Sequence, residues 1–197
     1  MGLSRTLLDR TFGRPTGLLG RFGGHVMARM NAETIERVTA LADLDAGDRV
    51  LEVGFGPGVG IETLARAVLD GSVAGVDASP EMVEQARRRN AALIEAGRVD
   101  LRQGTAEDLP FPDGSFDAAF AFNTMQAWTE PNAGLREIRR VVKPGGQVVV
   151  SVTVHAGTPE DPVSMLTDAG FESVRVYERG EDVCFLAAAQ SNSPVER

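Results

Sequence analysis

A single cysteine, Cys184, stands in this chain of 197 residues. One thiol closes no internal disulfide and builds no cysteine-based metal site. Its place in the apolar run Val183-Cys184-Phe185-Leu186 predicts a buried, inert strand residue. Histidine is nearly as scarce, with only His25 and His155, and no metal site is expected. No apolar run approaches the ~20 residues of a membrane span. Arg5, Arg10 and Arg14 interrupt the first residues, which therefore lack the apolar core of a signal peptide. These absences point to the cytoplasm and away from a membrane. Positive charge is short as well: the net charge is -8 and the pI near 4.8. That argues against a nucleic-acid partner gripped through its phosphates, which needs clustered Lys and Arg.

What is present suits one globular domain with a good core, with 43% apolar residues. The N-terminal stretch is basic, with Arg5, Arg10, Arg14, Arg21, Arg29 and Arg37 against Asp9, Glu33 and Glu36. Its glycines (Gly13, Gly17, Gly20, Gly23, Gly24) predict short helical pieces rather than one long helix. Asn31 reads as an N-cap, and Ile35, Val38 and Leu41 predict a helix over about 32–42. Residues 1–44 are thus expected to form a helical cap segment.

From there strands and helices alternate. Strands are predicted at 49–53, 72–76, 99–102, 116–122 and 147–154, and helices near 59–69, 80–95 and 131–142. Ser79-Pro80 supplies an N-cap and a first-turn proline. Lys143-Pro144-Gly145-Gly146 reads as a turn, and Arg87-Arg88-Arg89 as a solvated helix face. This alternation predicts a doubly wound α/β domain over 45–189, with a mostly parallel sheet covered on both faces. A helix near 161–169 leads to two strands, 173–177 and 182–189. The link between these strands is too short for a crossover, so they should be antiparallel. Residues 190–197 read as a disordered tail.

The chemistry gathers after the first strand, in Glu52-Val53-Gly54-Phe55-Gly56-Pro57-Gly58-Val59-Gly60. A strand, a glycine turn and a helix start form a ligand-binding edge, because the backbone can turn sharply and a ligand can approach it. The next strand ends in Asp77, an acid placed to accept from both hydroxyls of a ribose. A dinucleotide loop would need a small third residue where Val59 or, one register on, Ile61 stands. A nicotinamide oxidoreductase is therefore disfavoured.

Five segments then occur in order: Glu52-x-Gly54-x-Gly56-x-Gly58, Val76-Asp77-Ala78-Ser79-Pro80-Glu81-Met82, Ala106-Glu107-Asp108-Leu109-Pro110-Phe111, Ser115-Phe116-Asp117, and Arg140-Val141-Val142-Lys143-Pro144-Gly145-Gly146. The series resembles the class I S-adenosylmethionine-dependent methyltransferases, especially the small-molecule group with a Leu-Pro-Phe motif. The resemblance implies a seven-stranded, Rossmann-like methyltransferase fold with an antiparallel C-terminal hairpin. It implies S-adenosylmethionine as cofactor and S-adenosylhomocysteine as product. By the same resemblance, Gly54, Gly56 and Gly58 pack against the methionine part, shaped by Glu52, and Asp77 holds the ribose diol. Ala78 and Met82 would flank the adenine, and Ala106 would offer its N–H to it. Asn123 would turn its backbone carbonyl to the methionine end. Family members often carry an acid where Thr105 stands, so adenine recognition would pass to Thr105 or Glu107.

Methyl transfer from a sulfonium is an in-line displacement that needs a dry, orienting pocket, and a base only when the acceptor must lose a proton. His155, just past the fifth strand, is the candidate base. Phe12, Phe22, Met27 and Met30 are candidate walls for the acceptor, together with Met125 and Trp128; for each, plain packing is the alternative. The acceptor is expected to be a small molecule. A cofactor-binding protein without methyl transfer is the alternative function.

Overall fold

The computed structural model describes residues 32–153, 161–180 and 182–191. Its centre is a seven-stranded sheet in the order β3-β2-β1-β4-β5-β7-β6. The strands are β1 (Arg49–Val53), β2 (Ser72–Asp77), β3 (Val99–Gln103), β4 (Phe116–Phe122), β5 (Val142–Thr153), β6 (Phe171–Arg179) and β7 (Asp182–Ala189). The pairs β1–β2, β2–β3, β1–β4 and β4–β5 are parallel, whereas β7 runs antiparallel between β5 and β6. The doubly wound fold and its antiparallel hairpin are as the sequence predicts.

Strand residues alternate between two apolar layers. Val50, Phe120 and Val149 face a layer closed by Ile35 and Val38 of α1 (residues 32–39), Ile61 and Leu64 of α2 (Val59–Ala67), and Val83 and Ala86 of α3 (Pro80–Arg89). Leu51, Ala119 and Val148 face the other layer. That layer is closed by Leu135 and Ile138 of α5 (Pro131–Val141), Leu166 of α6 (Pro162–Asp168), and Leu109 and Phe111 from the loop after β3. Cys184 is buried, and burial pushes its thiol up to about 12, as befits an inert core residue.

Several boundaries differ from the sequence reading. The predicted helix over 80–95 is two helices, α3 and α4 (Ala91–Glu95). They are divided at Asn90, whose backbone leaves helical geometry while its side chain donates to Gly58 O and Ala86 O. Lys143-Pro144-Gly145-Gly146 is not a separate turn but an outward bulge within β5: Phe116 pairs with Val142, and Ala118 already pairs with Gln147. Gly145, at φ 78, absorbs the bend. The first helix stops at residue 39 rather than 42. Gln190 is not loose tail, because its carbonyl accepts from Arg139 at 2.9 Å. The Asn31 cap lies outside the described residues, as do residues 1–30 and 192–197 of the cap and tail.

Candidate functional site

The carboxyl ends of β1, β2 and β4 meet at one edge of the sheet, where the glycine loop crosses. Gly54, Gly56 and Gly58 all have left-handed backbone, at φ 74, 53 and 82, a conformation that side chains with a Cβ rarely adopt. Two of them are also sterically fixed: a Cβ on Gly54 would run into the Thr124 side chain, and one on Gly58 would lie 2.8 Å from Ala86 Cβ. Gly56 differs. Among the described residues, an added Cβ there would meet nothing within 4 Å, so the backbone at Gly56 is bare of them.

Asp77 closes β2 beside this loop. Its Oδ2 accepts from the Gly56 amide at 2.8 Å and its Oδ1 from the Ser79 amide at 2.9 Å. Burial raises its carboxyl above the usual range against the pull of those two amides. Each carboxylate oxygen keeps a lone pair beyond the one used. Glu52 sits one strand over and is 2% exposed. Its Oε2 is buried without a hydrogen-bond partner among the described residues. Burial first, and the nearby Asp77 charge second, hold the Glu52 carboxyl well above its ordinary value. Gly60 leaves the room that Glu52 occupies, since a Cβ there would collide with its carboxylate.

Next to Asp77, Ala78 is exposed, while Met82 is buried in the first turn of α3. After β3, Thr105 is exposed and Ala106 is 6% exposed. Glu107 Oε1 accepts from the Thr129 and Glu130 amides, at 2.8 and 3.0 Å. Burial opposes its charge, but these amides and the Thr105 hydroxyl hold its carboxyl below the usual range. Glu107 therefore serves the amides that open α5.

At the end of β4, Asn123 is left-handed at φ 52. Its carbonyl accepts from Gln126 Nε2 at 2.9 Å. Met125 is 1% exposed and embedded in the α5-side core, so it presents no wall to solvent. Trp128 is half-buried and lies against α5, where Gly134 leaves space for its ring. His155, Phe12, Phe22, Met27 and Met30 lie outside the described residues.

Four supporting residues were not assigned these roles from sequence. Asn90 pins Gly58, and Arg89 donates to Pro57 O at 3.1 Å, so the end of α3 grips the glycine loop from behind. Arg87 donates to Leu101 O; of the three arginines read as a solvated face, only Arg88 is confined to a surface pair, with Glu84. Arg140 donates to Leu109 O, Phe111 O, Asp113 and Glu137, clamping the Leu-Pro-Phe loop. The signal available for Asn90 was an Asn inside a helical pattern, where its side chain competes for backbone groups.

The chain is similar to known methyltransferases. Residues 51–150 match the family model described as a methyltransferase domain. An uncharacterised methyltransferase of Bacillus subtilis, YdaC, is 30% identical over 162 residues, covering 78% of this chain and 87% of the relative. The ubiquinone/menaquinone biosynthesis C-methyltransferase UbiE of Geotalea daltonii is 40% identical over 103 residues; the match covers 52% of this chain and under half, 44%, of UbiE. Among solved structures, a chain from the Haloferax volcanii complex between the Trm112 methyltransferase activator and a methyltransferase superposes with TM-score 0.77. It is 20% identical, with 87% of this chain and 94% of the other covered.

Proposed function

Because this chain belongs to the class I S-adenosylmethionine-dependent methyltransferases, we propose that it methylates a small organic acceptor held at the carboxyl edge of β4 and β5. The observation that carries the reading is the pairing of Asp77 with the bare backbone of Gly56.

The residues fit the cofactor. Asp77 has lone pairs left for the ribose hydroxyls. Gly54, Gly56 and Gly58 allow close approach, with Glu52 behind them, its partnerless Oε2 suited to an ammonium group reached through water. Met82, 5% exposed in the first turn of α3, suits one face of the adenine, with Ala78 beside it. The Ala106 amide and the Thr105 hydroxyl are assigned to the adenine edge, with Glu107 beside them tying the Thr129 and Glu130 amides ahead of α5. The Asn123 carbonyl is assigned to the methionine end.

When bound, the sulfonium supplies an electrophilic methyl group. The chain's own part is to fix the acceptor in line and exclude water. His155 is proposed as the proton acceptor for substrates that must lose a proton. Phe12, Phe22, Met27 and Met30, with Trp128, are proposed to wall the acceptor, residues 1–44 acting as its cap. Among the described residues no helix is long and apolar enough to cross a membrane.

The name of the UbiE relative favours starting with hydroxylated aromatic rings as acceptors. The test is release of S-adenosylhomocysteine from methyl-labelled S-adenosylmethionine with hydroquinones, phenols, amines and thiols. Acceptor-dependent release with label on the acceptor is expected. A protein that binds the cofactor but labels none of these classes would overturn the small-molecule assignment.

A further inference from the structure

Asn123 and Ser173 are the non-glycine residues with positive φ among the described residues. Ser173 lies on the exposed edge strand β6, where the register slips. Asn123 stands at the mouth of the proposed site, and a chain of polar contacts ends on it. Its amide stays in the ladder, donating to Ser151 O at 2.8 Å. Its side-chain amide lies 3.1 Å from Thr153 Oγ1, which in turn lies 3.0 Å from Asp182 Oδ1. Asp182 Oδ2 accepts from Thr34 Oγ1 at 2.7 Å and from Arg37 at 3.0 Å.

One hydroxyl hydrogen cannot fully serve two acceptors. The set becomes consistent when the Asn123 side chain is turned so that its NH2 donates to Thr153 and Thr153 donates to Asp182. Asp182 then accepts from three donors, Thr153 on Oδ1 and Thr34 and Arg37 on Oδ2, and the direction of every bond is fixed by the carboxylate. The series joins α1, the start of β7, the end of β5 and the end of β4. A left-handed non-glycine backbone persists only where its surroundings hold it, and this series is what holds the side chain of Asn123.

We infer that Thr153 and Asp182 are positioning residues for the cofactor: by holding Asn123 left-handed they aim its carbonyl at the methionine end of the ligand. The inference rests on the role proposed for that carbonyl. The two residues touch no ligand themselves; they act through Asn123. Gln126, whose Nε2 donates to that carbonyl at 2.9 Å, completes its support.

The test is a double-mutant cycle read by calorimetric titration of S-adenosylhomocysteine, with melting curves on the same samples. Thr153→Val keeps the shape and loses the hydroxyl; affinity should fall on the order of fivefold, the size of one hydrogen bond, and Thr153→Ser should restore it. Asn123→Gly adopts the left-handed backbone without help and keeps the carbonyl. In that background Thr153→Val should change affinity no further, which a merely structural threonine would not show. Asp182→Asn is a second entry to the same cycle and should behave likewise. Unchanged affinity in Thr153→Val, or an equal loss with and without Asn123→Gly, would overturn the inference while leaving the functional reading intact, provided wild type binds and Asp77→Ala binds at least tenfold more weakly. A wild-type protein that fails to bind would overturn both.

Discussion

The amide of Gly56 donates to Asp77 Oδ2 at 2.8 Å, so the loop after β1 and the acid closing β2 are one unit rather than two neighbouring motifs. A ligand held by the carboxylate is thereby placed over the bare face of the loop. Two alanine substitutions separate the roles of the glycines. Gly56→Ala has room for its Cβ and should cost only about 1 kcal/mol of backbone strain, yet its methyl group enters the proposed ligand space. The variant should fold and bind S-adenosylhomocysteine at least tenfold more weakly. Gly58→Ala forces a Cβ to 2.7 Å from Asn90 Nδ2 and should destabilise the fold by roughly 2–3 kcal/mol. Chemical denaturation and calorimetry on both variants check the contrast.

Glu52 gives the apo protein a pH dependence. Burial and the Asp77 charge hold its carboxyl well above the usual range. The folded chain therefore keeps this proton after the unfolded chain has lost it, and stability falls as pH rises from about 4.5 through the raised folded value. Glu52→Gln has no proton to lose. Its melting temperature should match wild type near pH ~4 and exceed it increasingly toward neutrality. Thermal melts across that range without ligand check this; parallel profiles would refute it.

Arg140 gathers Leu109 O, Phe111 O, Asp113 and Glu137 around one guanidinium. Glu137 first, then Asp113, raise its affinity for its proton, so the charge is permanent. Arg140→Met should cost about 2 kcal/mol, through two carbonyls and two acids that lose this donor. Because Ala106 precedes this loop, cofactor affinity should also fall modestly. Denaturation midpoints and titration on the same variant check both effects.

The relay through Thr153 adds a prediction of another kind, in which a lost hydroxyl matters only while Asn123 needs help to stay left-handed. The cycle with Asn123→Gly, read as ligand affinity, checks it.

Much of this was legible in the sequence because it rests on local rules. Val50 to Val53 and Phe116 to Phe122 are apolar runs of strand length bounded by turn residues. Ser79 accepts from the Met82 amide as an N-cap should. Asp117, which closes the Ser115-Phe116-Asp117 segment, fixes backbone: it accepts from the Arg49 amide at 2.9 Å and holds Lys143 on its other oxygen. What escaped depends on partners distant in the chain. Asn90 breaks a helix because Gly58 lies across from it, 32 residues earlier. Met125 reads as a pocket wall by its position after β4, but the short 3-10 turn over Met125–Ala127 leads it into the core. Glu107, expected as one of two stand-ins for the acid missing at Thr105, also holds the two amides ahead of Pro131. Asp182 gives no local hint at all, since its partners lie on α1 and β5.

The most direct measurement is the heat of S-adenosylhomocysteine binding to wild type and to Asp77→Ala under identical conditions. Saturable, one-to-one binding by wild type and a loss of at least tenfold in the variant are predicted. Equal affinities would remove the carboxylate from the site, and no heat from wild type at millimolar ligand would contradict the reading of this edge as a cofactor site.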